Sequence, residues 1–325
     1  VNWQPKTTLQ VLQLRAALLA QIRGFFAAHH VLEVETPILS SAANTDPQVE
    51  NFTTTFAGPD AAQGRQLYLH TSPEFPMKRL LAAGSGPVYQ ICKVFRQGEA
   101  GRYHNPEFTM LEWYRPGFSH HQLMDEVEQL TRLLLAQLDL GKSEYLSYQQ
   151  AFEQYAGLDP HQANCEQLIS CAEQHGLKGV TGLAKQDRDD WLNLLMSHVI
   201  QPRLGQQRLT FIFDYPASQA ALARICPTNP LVAERFELFL QGVELANGFR
   251  ELTDAAEQQR RFLEELQQRA HNGQTATPMD ENLLAALNYG LPDCAGVAVG
   301  VDRLLMLSSG ASEISEVLSF PIGRA

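Results

Sequence analysis

The sequence predicts an α+β fold: an antiparallel sheet flanked by helices, with a helical insertion between its strands. Three observations carry this. Val88 to Phe95 is rich in β-branched and aromatic residues, and a polar loop closed by Pro106 leads to a second such run through Tyr114. A second pair of strands is read in FELFL-QG-VELANGF, residues 236–249, around the two-residue turn Gln241-Gly242. Residues 118–205, by contrast, show helical periodicity over most of their length.

In chain order, Leu9 to His29 reads as a helix whose stripe is Leu12, Ala16, Leu19, Ile22 and Phe26. Val31 to Thr36 follows as an extended segment ended by Pro37. Residues 40–66 read as loops and short strands, with Gly58-Pro59 a turn. Leu67 to His70 leads into Thr71-Ser72-Pro73-Glu74 and a helix from Phe75 to Leu81.

On the strand ending at Tyr114, Phe108, Met110, Glu112 and Tyr114 point one way. A solvent-facing hairpin and a ligand-facing one are equally open readings of that alternation. If the face is buried, Glu112 needs a cation to offset its desolvation. Beyond it, Leu123, Val127, Leu130 and Leu134 form one stripe of the insertion, and Asp187 to Val199 a second. Thr210 to Pro216 returns to strand character.

The Gln241-Gly242 turn sets a register in which Leu240 faces Val243, Phe239 faces Glu244 and Glu237 faces Ala246. Glu237 and Glu244 then share a face, and two carboxylates that close call for a bridging cation such as Mg²⁺. Simple alternation puts Asn247 and Glu251 on the opposite face, unless Gly248 marks a bulge. Asp254 with Glu257 starts a largely polar helix running to Gly273, and another helix covers Asp280 to Tyr289. Along Cys294 to Gly300, Gly296, Ala298 and Gly300 share one face while valines take the other, leaving the small side open to a ligand. Arg303 then opens a helix.

Composition bounds the function. The chain has 325 residues, 44% apolar and 19% charged, as an ordinary globular protein does. Its net charge of −11 argues against gripping a polyanion as the main task. No run of about 18 apolar residues suggests a membrane span, and Val1-Asn2-Trp3-Gln4-Pro5 lacks a signal-peptide pattern. Five scattered cysteines fit a reducing cytoplasm rather than a disulfide framework.

The stretch FRQGEAGRYHNPEFTMLEWY, residues 95–114, resembles motif 2 of class II aminoacyl-tRNA synthetases in the lysyl-tRNA synthetase form. The first helix through Pro37 is similar to motif 1, the dimer interface of that family, and the strand ending at Gly300 with Arg303 resembles motif 3. The resemblance implies a single synthetase-like catalytic domain over 1–325, with its helical insertion at about 118–205. It implies ATP and Mg²⁺, with Arg96 gripping the α-phosphate and substrate carboxylate, and Arg303 and Phe108 on the two faces of adenine. Arg96 and Arg303 are the catalytic pair on that reading. Gln97, Gly98, Glu99, His104, Asn105, Glu237, Glu244, Leu245, Asn247 and Gly300 complete the ATP-binding set, with Glu237 and Glu244 the metal ligands. Ser72, Pro73, Glu74, Glu112, Tyr114, Glu251 and Ala298 are the substrate-binding set.

Two departures stand out. The family writes Phe-Arg-x-Glu, whereas this chain has Gly98 at the acid position and Glu99 one place later. The motif 3 middle glycine is Ala298, whose methyl takes space beside the substrate's α-carbon and is worth about 1–3 kcal/mol in a tight pocket. With the first helix starting near residue 9, no anticodon-binding domain is expected. The chain therefore resembles the truncated paralogs of lysyl-tRNA synthetase that ligate (R)-β-lysine to a lysine of elongation factor P, a homodimeric cytoplasmic class. A truncated enzyme that still charges tRNA and a non-catalytic regulatory paralog are the alternatives.

Overall fold

The computed structural model describes residues 3–59, 61, 63–180, 183–184 and 186–325; the reading of Val1-Asn2 lies outside them. In chain order these form α1 (Leu9–Ala28), β1 (Leu32–Glu33), β2 (Leu39–Ser40), β3 (Thr53–Phe56), β4 (Arg65–Leu69), α2 (Glu74–Ala82), β5 (Val88–Phe95) and β6 (Glu107–Pro116). There follow α3 (His120–Leu134), β7 (Glu144–Ser147), α4 (Tyr148–Tyr155), α5 (Cys165–Gln174), α6 (Arg188–Leu195) and β8 (Thr210–Pro216). The chain closes with β9 (Val232–Leu240), β10 (Val243–Arg250), α7 (Ala255–His271), α8 (Glu281–Gly290), β11 (Cys294–Gly300) and α9 (Val301–Ser309).

The chain divides into two compact units. The first comprises Val1–Phe118, Leu133–Gln137 and Thr253–Ala325; the second Ser119–Arg132 and Leu138–Leu252. In the first, the strand order is β1-β5-β6-β11, with β1 parallel to β5 and the other pairs antiparallel. Phe26 of α1 stacks on Tyr89 of β5 at 4.4 Å and meets Trp113 of β6 edge-on at 5.2 Å. Burying each such ring contributes about 2–3 kcal/mol. Tyr89 and Trp113 lie on the opposite face from Glu112, so α1 seals the back of the strands and leaves their front for ligands.

The buried face of α1 is Leu18, Ile22, Phe25 and Phe26, which keeps only Ile22 and Phe26 of the expected stripe. Ala16 is exposed, and Leu12 and Leu19 are only half-buried. The helix is rotated because Val11 and Leu14 pack against Leu305, Met306 and Val317, while Arg15 pairs with Asp302. By length and composition α1 is also apolar enough to cross a membrane. Its polar Gln10, Gln13, Gln21 and Arg23 break any continuous apolar run.

The second unit has strand order β10-β9-β8-β7, with only β7–β8 parallel. β7 was hidden from the sequence because four residues, half-buried or exposed throughout, carry almost no period. The stripe Trp191, Leu192, Leu195, Met196 and Val199 is buried with Tyr148, Phe152 and Leu168, so α4, α5 and α6 share one core with Ile212 and Phe239 of the strands. In each unit the antiparallel strands are thus backed by packed helices.

Candidate active site

In the first unit the site is a row across three strands. Glu112 of β6 lies opposite Gln90 of β5 on one side and Ala298 of β11 on the other. Met110 lies opposite Gly300, and Tyr114 opposite Gly296. The small residues of β11 therefore flank the carboxylate and its aromatic neighbour, as their alternation predicts. Glu112 is 2% exposed. Its oxygens accept hydrogen bonds from Ser72 Oγ at 2.8 Å and Tyr114 Oη at 2.7 Å. Two hydroxyl donors fix the rotamer of this carboxylate.

Ser72 also accepts from the backbone N–H of Glu74 at 3.0 Å, which ties the start of α2 to the same carboxylate. Pro73 is the N-cap of α2. Glu74 is bound at 2.5 Å by the ammonium of Lys78, one turn on and almost fully buried. Cys92 shares the face of Glu112; burial first, and the Glu112 charge after it, push its thiol up to about 12. It is not a nucleophile near neutral pH.

Arg96 follows β5, its guanidinium 5.2 Å from the centroid of the Phe108 ring and 3.7 Å from Glu99. Gly98 has φ +83°, a left-handed conformation that glutamate would adopt only with strain. The missing acid is thus a turn requirement, and the carboxylate of Glu99, one place later, faces Arg96. Gln97 bridges to the backbone of Glu50. Asn105 braces the loop: its amide donates to Glu107 O at 2.6 Å and accepts from the N–H of Ile322 at 3.1 Å. Arg303 lies over Gly300, with its guanidinium 2.8 Å from His104 Nε2.

Asp302 was not singled out in the sequence. It is buried in the first turn of α9, accepts from the N–H of Thr109 at 2.7 Å and pairs with Arg15. It locks the start of α9 to β6 beside Phe108 and so fixes the residue from which Arg303 springs. An acid one place before Arg303, at a helix N-terminus, was the available signal.

In the second unit the β9–β10 hairpin turns at Gln241 (φ 53°) and Gly242 (φ 72°), the pair of left-handed residues of a type I′ turn. Leu240 faces Val243 and Phe239 faces Glu244 as expected, but Glu237 faces Asn247, not Ala246. A bulge at Leu245 shifts the register between Glu244 and Ala246. The extra residue reverses the parity, so Asn247 and Glu251 join the face of Glu237 and Glu244. The bulge lies at Leu245 and not at Gly248. Glu251 is 1% exposed, and its backbone bridges to Ala223.

Burial first, and the Glu244 carboxylate with it, push Glu237 above the ordinary carboxylate range, against the pull of Arg235. Tyr215 Oη donates to Glu237 at 2.6 Å, and Arg235 supplies an ion pair. Arg235 also donates to Gln219 O at 2.7 Å and lies 4.5 Å from the Tyr215 ring centroid. This cation was missed, although it sits two residues before Glu237 and hence on its face. Among the described residues no cluster of three or more His, Cys, Asp or Glu could hold a metal. Two carboxylates sharing a face nonetheless fit Mg²⁺, which keeps waters and takes phosphate oxygens as its remaining ligands.

An antiparallel strand row with an arginine leading in, an adenine-sized aromatic, and a small-residue strand ending in arginine defines a class II synthetase core. The family described as tRNA synthetases class II (D, K and N) matches residues 1–324, and this chain belongs to it. Curated relatives named elongation factor P–(R)-β-lysine ligase, from Pseudoalteromonas translucida and Photorhabdus laumondii, are each 52% identical to it. Those alignments cover 99% and 100% of this chain and 98% of each relative. A protein of the same name from Salmonella paratyphi B is 51% identical, over 100% of this chain and 98% of its own length.

Proposed function

We propose that this protein is an ATP-dependent ligase that activates (R)-β-lysine as its adenylate and transfers it to a lysine side chain of elongation factor P. The observation that carries the reading is the buried Glu112, held by Ser72 and Tyr114, with the methyl of Ala298 directly across from it. Such a carboxylate fits a distal ammonium, and the Ala298 methyl, on the same face of the next strand, takes space that the resemblance assigns to the substrate's α-carbon. The name borne by relatives at 52% identity supports the same substrate and acceptor.

In the first step a carboxylate oxygen of the amino acid attacks the α-phosphorus of ATP. The bond to the leaving oxygen breaks and pyrophosphate departs with its electron pair. Arg96 holds the α-phosphate and the attacking carboxylate together, a use of the guanidinium fork that needs no proton transfer. Phe108 and Arg303 sandwich adenine. Glu237 and Glu244 would hold Mg²⁺, which supplies charge neutralisation for the phosphates. In the second step the acceptor amine attacks the activated carbonyl, loses a proton, and expels AMP to leave an amide.

Glu112, Tyr114 and Glu251 receive the distal ammonium, and Glu74 the other amine. The working form is a cytoplasmic homodimer without anticodon recognition; five free cysteines support the reducing compartment. Gly98 does not favour a regulatory paralog, since its left-handed backbone accounts for the lost acid.

The test is amino-acid-dependent ATP–pyrophosphate exchange with no acceptor present. (R)-β-Lysine is expected to support exchange at higher kcat/KM than α-lysine. Dominance of α-lysine would restore the truncated synthetase, and exchange with neither isomer would leave the regulatory paralog.

A further inference from the structure

Arg269 of α7 is a fully buried guanidinium, 1% exposed, to which no step above gives a role. It faces an irregular segment, residues 43–51. Its Nη1 donates to Asp46 O at 3.0 Å and Val49 O at 3.3 Å, and its Nη2 is 3.1 Å from the carboxylate of Glu50. Gln274 adds hydrogen bonds to Pro47 O at 2.9 Å and to Glu50. The other end of the segment is pinned by Ala43 N–H to Pro278 O at 3.1 Å. One cation therefore gathers the carbonyls of a loop that no strand pairs.

That loop reaches the phosphate-gripping arginine by two routes. The carbonyl of Glu50, the residue whose side chain Arg269 holds, accepts the N–H of Gln97 at 3.0 Å, next to Arg96. Asn44 donates to Thr71 Oγ1 at 3.1 Å, and Arg96 Nε reaches Thr71 O at 3.5 Å. We propose that Arg269 is a positioning residue for ATP: it holds residues 43–51 as a brace that fixes Gln97 and, through it, the approach of Arg96 to the α-phosphate. A lysine cannot replace it, because a point charge with three donors does not reproduce a planar fork spanning two carbonyls and a carboxylate.

The kinetic part of the test rests on the ligase reading; the exchange part does not. In Arg269→Lys, the KM for ATP in pyrophosphate exchange should rise about tenfold, the loss expected for one charged hydrogen bond. The KM for the amino acid should rise by a smaller factor, because Arg96 meets only its carboxylate while its distal ammonium is held at Glu112. Amide hydrogen exchange at Gln97 should quicken in the variant while that of β5 does not change. Glu50→Gln should give a smaller effect of the same kind, and the double variant should be less than additive. Equal falls in every kinetic parameter with a lowered Tm, or an unchanged Gln97 amide, would overturn the proposal. If the parent protein supports no exchange reaction with either lysine isomer, the ligase reading falls, and the Gln97 amide alone decides the role of Arg269.

Discussion

Ala298 shows how much one methyl decides. It stands opposite Glu112 on the neighbouring strand, half-buried, where the family has glycine. Removing it restores the room an α-amino acid needs on that side. Ala298→Gly is therefore expected to raise kcat/KM for α-lysine relative to (R)-β-lysine by about tenfold or more, the worth of one methyl in a fitted pocket. The strand should lose only about 0.5–1 kcal/mol of stability from the added backbone freedom. An unchanged preference, measured by pyrophosphate exchange with both isomers, would remove Ala298 from the specificity argument. Alternation placed Ala298 and Glu112 on their faces, whereas Arg96 was singled out by the resemblance to motif 2. Arg235 and Asp302 were not, since their role is to neutralise or anchor another functional group, and that shows only once the partner is placed. At Gly98 the sequence shows the carboxylate lost, while the need for a positive φ belongs to the backbone.

Strands and helices were legible where a period runs long enough to be counted. β5 and the long helical stripes were found by their residues, and the Gln241-Gly242 turn by its chemistry. The bulge at Leu245 was not, because one inserted residue leaves the composition of a strand untouched while reversing its parity. The face of α1 was misplaced because its stripe is set by what packs on it, Arg15 included. α7 was read as a largely polar helix, yet it carries a half-buried carboxyl, Glu265, as well as the buried Arg269. Glu265 is pushed up to about 7, by burial above all, with Asp46 and Glu74 adding to it against the hydrogen bond from Thr45 and the charge of Arg261. A group whose pKa is raised by folding favours the folded state most when protonated. Its contribution is thus present at pH below the unfolded carboxylate value and is lost as pH rises through about 7. Glu265→Gln should flatten the fall in Tm between mildly acidic pH and pH 8 relative to the parent. A fall of equal size in both proteins would show that Glu265 is not the group responsible.

At the level of the whole chain, the charge balance bears on the acceptor. A net charge of −11 gives a field that repels a polyanion at long range, and a tRNA enzyme would need local basic patches to overcome it. The family match over residues 1–324 implies ATP use in the activating half of the reaction and leaves the acceptor to be argued separately. What the acceptor is depends on surfaces that the active-site motifs do not encode, which is why the sequence left both a tRNA and a protein open. The two differ in the bond they yield. Attack by a ribose hydroxyl leaves an ester that mild alkali cleaves, whereas attack by a lysine amine leaves an amide that survives. With radiolabelled (R)-β-lysine, ATP, Mg²⁺ and both acceptors in one tube, label is expected on elongation factor P, stable to alkali and insensitive to ribonuclease. Increasing salt should change the rate far less than the steep power law of a protein that neutralises many phosphates. Label that ribonuclease releases and alkali removes would instead mark a tRNA-charging enzyme, and would show that the acidic surface is overridden locally.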